Sequence, residues 1–354
     1  MGVGVPVRAL RASAVKRALP AALAGLLAIG LVVARGPVFG HARNPAVTAA
    51  GASAEARDRT FGPPSQPDLS TADATTPSAA PLAAPATQPA VSRIVAGTFY
   101  SQAMLMQRPF EIYLPPSYEQ AADRAYPVLY LLHGDGGRAS DWAAFGLQAT
   151  MDKAIAAGTS EMIVVMPDGS GRSGDTDWAN RWDGTELVED HVIDLVNFVD
   201  QNYRTMPDRS TRFVGGASSG GFGALNLALH HQELFSTAMS FSGFIAANDP
   251  EADSGVFGED PGFIERNSPA SLVSSQAGAR DIYYVLSGGQ NDAYFQHRMA
   301  ELSAELDRLG IAHEFHVVPG GHDMMAWNAG LDLGLAHVAA QLGDLSGPPS
   351  RTSE

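Results

Sequence analysis

Short apolar runs alternate with longer amphipathic stretches between residues 93 and 342, and this alternation constrains the fold most strongly. The apolar runs are often β-branched or aromatic and are bounded by Gly, Pro, Asp or Ser, which is typical of buried strands. Strands are predicted at 110–114, 127–132, 162–166, 211–216, 237–241, 282–286 and 313–318, and helices near 140–156, 186–203, 219–231, 294–309 and 325–341. This order predicts an α/β fold, a mostly parallel sheet with helices on both faces.

The first 43 residues have the layout of an export signal. A basic stretch ends at Lys16-Arg17, an apolar run covers 18–33, and Gly40-His41-Ala42 supplies small residues for cleavage. The apolar run is shorter than the roughly 20 residues that span hydrocarbon, but it suffices for a tilted anchor. We expect either a signal peptide or a membrane anchor over residues 18–34. Because basic residues precede the apolar run, the catalytic body is expected outside the cytoplasm: secreted, periplasmic or in the cell envelope.

Two further segments contain almost no large apolar side chains. Residues 44–92 are rich in Ala, Pro, Thr and Ser, and such a composition cannot bury enough surface to offset the entropy of the chain. We expect a disordered tether there and a flexible tail over residues 343–354. These boundaries leave residues 93–342 for the catalytic domain.

The charge and the absence of cysteine exclude several classes of function. The chain has 23 basic and 38 acidic side chains, and six of the basic ones lie in the first 43 residues, which hold no acid. The remaining acidic body repels phosphate backbones, so we expect no nucleic-acid partner. With no cysteine in the chain, disulfides, thiolate metal sites and a thiol nucleophile are excluded. Any nucleophile must be an oxygen or an amine.

Residues 216–220, Gly-Ala-Ser-Ser-Gly, are the chain's one G-x-S-x-G motif. They lie between a predicted strand and a helix of small residues, which is the setting of a nucleophile elbow. The two glycines relieve crowding around a strained serine, and the helix N-terminus brings a positive dipole end beneath it. The motif predicts Ser218 as a nucleophile. A Gly/Ser-rich turn or an anion cradle is the alternative.

Several motifs together resemble the esterase D group of α/β-hydrolases, which includes feruloyl esterases, S-formylglutathione hydrolases, siderophore esterases and mycolyltransferases. The motifs are the run 126–137 with His133-Gly134-Asp135, the elbow 216–221 and the segment Pro319-Gly-Gly-His322. Stretches 166–178 and 240–244 are similar to the mycolyltransferase branch. The resemblance covers about residues 93–342 and implies the α/β-hydrolase fold.

A serine hydroxyl is a weak nucleophile and needs a neighbouring base, for which His322 is the candidate. It follows the strand 313–318 on a Gly-rich loop, so it projects at the carboxyl edge of the sheet, as the resemblance also implies. A surface-loop histidine is the alternative.

Asp292 is the candidate acid that orients this histidine. It follows the strand 282–286 on another Gly-rich loop, which gives the order Ser218, Asp292, His322 typical of α/β-hydrolases. Mycolyltransferases take their acid from a differently built glutamate region, so this aspartate favours the hydrolases. Its alternative role is a helix N-cap.

Acyl transfer also needs donors for an oxyanion. We expect the backbone N–H groups of Ser219 and Asp135 to serve. The Asp135 side chain should point away, because its charge would repel the oxyanion. If it does not, Gly134 or Gly136 would be the donor, and Asp135 could equally be a plain turn residue.

Four tryptophans fall near the same end of the sheet and are candidates for an apolar or sugar-stacking wall. They are Trp142, Trp178, Trp182 and Trp327. Ordinary core packing is the alternative for each of them. Arg181 is a candidate contact for an anionic group. The acidic loop 249–260 lacks the glycine and the final glutamate of a calcium-binding loop, so we expect a solvated loop and no metal.

The sequence therefore predicts an exported serine carboxylic ester hydrolase that forms an acyl-enzyme on a small-molecule, glycan or lipid ester and needs no cofactor. Two alternatives stay open: a cell-envelope acyltransferase, in which a sugar hydroxyl replaces water, and a noncatalytic glycan-binding relative. The sequence makes no prediction of the oligomeric state.

Overall fold

The computed structural model describes residues 90–172 and 174–345, and its centre is a sheet of eight strands. The strands are β1 (Arg93–Ser101), β2 (Met106–Leu114), β3 (Val128–Leu132), β4 (Ile163–Pro167), β5 (Arg212–Ala217), β6 (Thr237–Phe241), β7 (Tyr283–Gly289) and β8 (His313–Val318). Their spatial order is β1-β2-β4-β3-β5-β6-β7-β8. Strand β2 is antiparallel to both neighbours, and every other pair is parallel. The predicted mostly parallel sheet is confirmed.

Helices cover both faces of this sheet. They are α1 (Asp141–Ala144), α2 (Leu147–Ala156), α3 (Val188–Asn202), α4 (Ser219–His230), α5 (Ser254–Phe257), α6 (Pro261–Arg266), α7 (Pro269–Ser275), α8 (Ala293–Leu309) and α9 (Met324–Leu345). Successive side chains of a strand point to opposite faces. Accordingly Tyr130 packs into the core beneath α3, α4 and α8, whereas its neighbours Leu129 and Leu131 pack beneath α2 and α9.

The strand that the sequence did not predict is β1, at one edge of the sheet. It is mostly exposed and pairs only with β2, so it lacks the continuous apolar run of a central strand. Gly97 faces Phe110 across this pair, and a Cβ there would lie 2.6 Å from the Phe110 ring. The glycine therefore makes room for a ring that packs into the core.

Two helical regions differ from the expectation. The predicted helix at 140–156 is two helices, because Gly146 adopts φ 91° between α1 and α2. The region between β6 and β7 contains α5, α6 and α7, which were not predicted. These helices are short, with four to seven residues, so they give little periodic signal.

The ends of the predicted domain differ slightly from the observed body. Ser92 is buried and its hydroxyl donates to Asp152 (2.8 Å), and α9 continues to Leu345. The predicted signal or anchor, residues 44–89 of the predicted tether and residues 346–354 of the tail lie outside the described residues. In the part that the structure describes, no helix has the length and apolar character to cross a membrane.

Candidate active site

Ser218 occupies a sharp turn between β5 and α4. Its backbone has φ 55° and ψ −123°, a conformation that non-glycine residues rarely adopt. A Cβ on Gly216 would lie 2.4 Å from the carbonyl oxygen of Gly220, and a Cβ on Gly220 would lie 2.4 Å from that of His133. Both positions therefore need glycine for this turn to close. The half-buried serine stands at the carboxyl end of β5.

A continuous hydrogen-bonded line joins Ser218, His322 and Asp292. The serine hydroxyl lies 2.9 Å from His322 Nε2, and His322 Nδ1 lies 2.8 Å from Asp292 Oδ2. Because the carboxylate accepts, Nδ1 carries the proton and Nε2 offers its lone pair to the serine hydroxyl. This is the arrangement that activates a serine for attack on a carbonyl.

Asp292 has two roles in the structure, because its two carboxylate oxygens bind different partners. Oδ2 holds His322, while Oδ1 caps α8 by accepting the N–H of Phe295 (3.4 Å). The Phe295 ring in turn stacks on the imidazole at 4.0 Å, and the Trp327 ring meets it edge-on at 5.3 Å. The imidazole is thus fixed by a hydrogen bond and by two aromatic rings.

The turn after β3 runs past the nucleophile. A Cβ on Gly134 would lie 3.3 Å from that of Ser218. Within the described residues, the backbone N–H groups of Ser219 and Asp135 have no protein acceptor, and both residues line the same cavity as Ser218. These two N–H groups are therefore available to an oxygen of a bound molecule.

The side chain of Asp135 differs from the expectation that it points away. Asp135 is exposed and its side chain hydrogen-bonds Asp175, another residue of the cavity lining; burial of Asp175, together with the hydrogen bond and negative charge of Asp135, raises the pKa of Asp175 to about 7. Near neutral pH the carboxyl group of Asp175 therefore holds a proton for much of the time, which reduces the negative charge beside the two free N–H groups.

Hydrogen bonds from three sides hold the end of β3 in place. The N–H of Gly169 donates to His133 Nε2 (3.0 Å), so His133 carries its proton on Nδ1 and donates to the carbonyl of Gly134 (2.8 Å). Burial lowers the pKa of His133, which favours this neutral form. The indole N–H of Trp178 donates to the carbonyl of His133, and that of Trp142 donates to the carbonyl of Leu132, both at 3.0 Å.

Of the four tryptophans predicted to form an aromatic wall, two line the cavity and two do not. Trp142 and Trp327 line the cavity, although Trp142 is almost fully buried. Trp178 does not line it, because its ring is buried against α4 and its N–H binds the end of β3. Trp182 lies outside the cavity and is 55% exposed, and Arg181 pairs with Asp183 (3.4 Å) rather than facing the site.

The cavity that contains Ser218 has a volume of about 400 Å³ and a lining of two chemical kinds. The carboxyl groups are those of Asp135, Asp141, Asp175 and Glu251, and the large apolar side chains are those of Trp142, Phe145, Phe244, Phe295, Met324 and Trp327. Most of these residues were not predicted. Phe295 alone could be placed from the local sequence, because an aspartate N-cap at Asp292 accepts the backbone N–H of the third residue after it, which is Phe295.

The acidic loop after β6 is not solvated throughout. The Asp249 side chain is buried, accepts a hydrogen bond from the hydroxyl of Tyr294 and forms an ion pair with Arg298 (2.9 Å). Asp260 caps α6 by accepting the N–H of Phe263 (2.9 Å). The described residues contain no cluster of His, Asp or Glu that could hold a metal ion.

The sequence profile of the family described as putative esterase matches residues 101–338, which is most of the described body. The chain belongs to this family. The α/β-hydrolase fold and the esterase relationship that the motifs implied are thereby confirmed.

Individual relatives agree with this membership. An esterase of Mycobacterium tuberculosis H37Rv is 30% identical over an alignment of 254 residues, and the alignment covers 63% of this chain and 54% of the relative. The chain thus spans about half the length of the curated relatives it matches. Among solved structures, a ferulic acid esterase is 27% identical with a TM-score of 0.64, covering 71% of this chain and 99% of its own. An S-formylglutathione hydrolase from Agrobacterium tumefaciens has the same fold at 19% identity and a TM-score of 0.62, covering 73% and 98%.

Proposed function

We propose that this member of the esterase family is a serine carboxylic ester hydrolase whose catalytic triad is Ser218, His322 and Asp292. The observation that carries the proposal is the hydrogen-bonded line of 2.9 and 2.8 Å from the serine hydroxyl through the imidazole to the buried carboxylate. The strained elbow and the two unpaired N–H groups beside it support the same reaction.

In the first half of the reaction, Ser218 Oγ attacks the ester carbonyl carbon while its proton passes to His322 Nε2. Asp292 stabilises the imidazolium that forms. The carbonyl oxygen becomes an oxyanion and accepts hydrogen bonds from the N–H groups of Ser219 and Asp135. The tetrahedral intermediate then collapses, the bond to the alcohol oxygen breaks, and His322 returns the proton to the leaving alcohol.

In the second half, a water molecule takes the place of the alcohol. His322 accepts a proton from this water while the water oxygen attacks the acyl carbon of the ester on Ser218. Collapse of the second intermediate releases the carboxylic acid and restores the serine hydroxyl. The residues of the chain suffice for every step. A sugar hydroxyl in place of water would give acyl transfer instead.

We also propose that the enzyme acts outside the cytoplasm, on a tether formed by residues 44–92. The support is the basic, apolar and small-residue layout of the first 43 residues. Fractionation of cells that express the full chain tests this point, because activity confined to the cytoplasmic fraction would contradict it.

Stopped-flow hydrolysis of short p-nitrophenyl esters by the full chain tests the proposed activity. We expect a burst of p-nitrophenol followed by steady turnover, and both should vanish in Ser218→Ala. Ser274→Ala, which removes an exposed hydroxyl on α7, is the matched control and should keep both phases. Equal, slow release from wild type and Ser218→Ala would contradict the assignment. Adding glucose or trehalose as acceptor shows by product analysis whether water or a sugar receives the acyl group.

A further inference from the structure

The carboxyl groups of the cavity lack positively charged partners. Asp135, Asp141, Asp175 and Glu251 form no ion pair with any described residue, and no Lys or Arg of the described chain lines the cavity. Their polar contacts are with each other or with backbone N–H groups, such as that of Arg138 on Asp141 and that of Thr176 on Asp175. The negative charge of the cavity is therefore uncompensated.

Three carboxyl groups outside the cavity have arginine partners. Asp168 pairs with Arg108, Asp200 pairs with Arg212, and a similar arginine pair neutralises the buried Asp249. Arg181, the predicted contact for an anionic group, binds Asp183 and does not line the cavity. The buried Asp177 also lacks a cationic partner among the described residues, so what distinguishes the four carboxyl groups of the cavity is their position around Ser218.

Charge at this place acts strongly on a bound molecule. Five of the other lining residues are Trp or Phe, and a cleft with low-dielectric walls focuses the field of the charges that line it. An anionic group on a substrate would lose water and meet several carboxylates without a cation to balance it, whereas a neutral or cationic group would not. A proton on Asp175 reduces the negative charge near the oxyanion, whereas Asp141 and Glu251 belong to the same lining and have no cationic partner in the described part of the chain.

From this lining we propose that the site selects neutral and cationic esters and rejects esters that carry a carboxylate or a phosphate. The inference rests on the proposed function and narrows its substrate class. An anionic peptide thioester such as one of glutathione falls in the rejected class, whereas an uncharged aryl, alkyl or glycan ester falls in the accepted one.

Three p-nitrophenyl esters of matched acyl length test the inference on the full-length chain: the butyrate, the hemisuccinate and the 4-(trimethylammonio)butanoate. After division by each ester's rate with free imidazole, we expect kcat/KM of the hemisuccinate to be at least tenfold below that of the butyrate at about 20 mM salt. The trimethylammonio ester should equal or exceed the butyrate. The differences should narrow at about 0.5 M salt, because salt screens the charges.

A double variant, Asp141→Asn with Glu251→Gln, links the selectivity to the cavity. We expect the ratio of hemisuccinate to butyrate kcat/KM to rise at least threefold. The control is Glu233→Gln with Glu305→Gln, which removes the same charge from two residues outside the cavity lining and should leave the ratio unchanged.

The outcomes separate the two proposals. If the wild type hydrolyses none of the esters, the proposed function fails. If it hydrolyses all three with equal corrected kcat/KM at low salt, or if the cavity variant and its control change the ratio equally, the esterase stands and the charge selectivity is wrong.

Discussion

Replacing Asp177 with asparagine is expected to stabilise the protein much more at alkaline pH than near pH 5. Asp177 is almost fully buried, its Oδ2 accepts the N–H of Asp253 (2.8 Å), and its Oδ1 has no hydrogen-bond partner within the described residues. Burial, reinforced by the negative charge of Asp175, raises the pKa of Asp177 to about 8. The folded protein therefore holds a proton that the unfolded chain releases near pH 4.

The sign and size of the effect follow from this difference in proton binding. Between about pH 4 and pH 8 the folded state binds more protons than the unfolded state, so the free energy of unfolding falls as the pH rises. One pKa unit corresponds to about 1.4 kcal/mol, so the loss above the folded-state pKa is on the order of 5 kcal/mol. Asparagine keeps the oxygen that accepts from Asp253 and carries no charge at any of these pH values, so Asp177→Asn escapes the loss.

Urea unfolding of wild type and Asp177→Asn at about pH 5, 7 and 9 measures the difference directly. Comparing the two proteins at each pH removes contributions from other groups, such as His191, whose pKa burial lowers to about 4. Asp183→Asn is the control, because the pKa of this exposed carboxyl is lowered by hydrogen bonds from Thr185 and its removal should not stabilise. A stabilisation by Asp177→Asn that is the same at all three pH values would refute the reasoning.

Three further predictions concern single residues. Asp292→Asn should lower kcat by about 10² to 10⁴ but keep the oxygen that caps α8, so its Tm should fall less than that of Asp292→Ala; equal Tm values would contradict the capping role. Trp178→Phe should cost about 1–3 kcal/mol in urea unfolding, because the buried carbonyl of His133 loses its donor. Although burial opposes the shift, hydrogen bonds from two histidines lower the pKa of Glu189 to about 2. Glu189→Gln should therefore lower the free energy of unfolding, measured with urea, near pH 6, and the loss should shrink as the pH falls from about 4 towards 2.

The central elements were predictable because burial on both faces leaves a continuous apolar run. Strands β3 to β6 are fully buried, and each lies within one residue of its predicted position. Strand β1 could not be found in this way, because an edge strand with one exposed side and a glycine at its centre has no such run. The short helices after β6 were missed because four to seven residues give little periodic signal.

The site was predictable in position more than in side-chain direction. Each candidate residue follows the carboxyl end of a strand. Because the carboxyl ends of parallel strands lie at the same edge of the sheet, Ser218, Asp292 and His322 were expected near each other. Nothing in the local sequence says whether a tryptophan near that edge faces the cavity or binds a carbonyl, as Trp178 does. Likewise, the pairing of Asp135 with a residue 40 positions away depends on the folded loops.

The histidine of the site is attached to an edge strand of the sheet. His322 follows β8, which pairs only with β7 and is mostly half-buried, whereas Ser218 follows the fully buried strand β5 inside the sheet. Fraying of β8 alone would carry the imidazole away from the serine while the inner strands remain paired. Mild denaturing conditions would then inactivate the enzyme before the protein unfolds globally. Under such conditions the catalytic rate would measure how much of the protein still has β8 paired with β7.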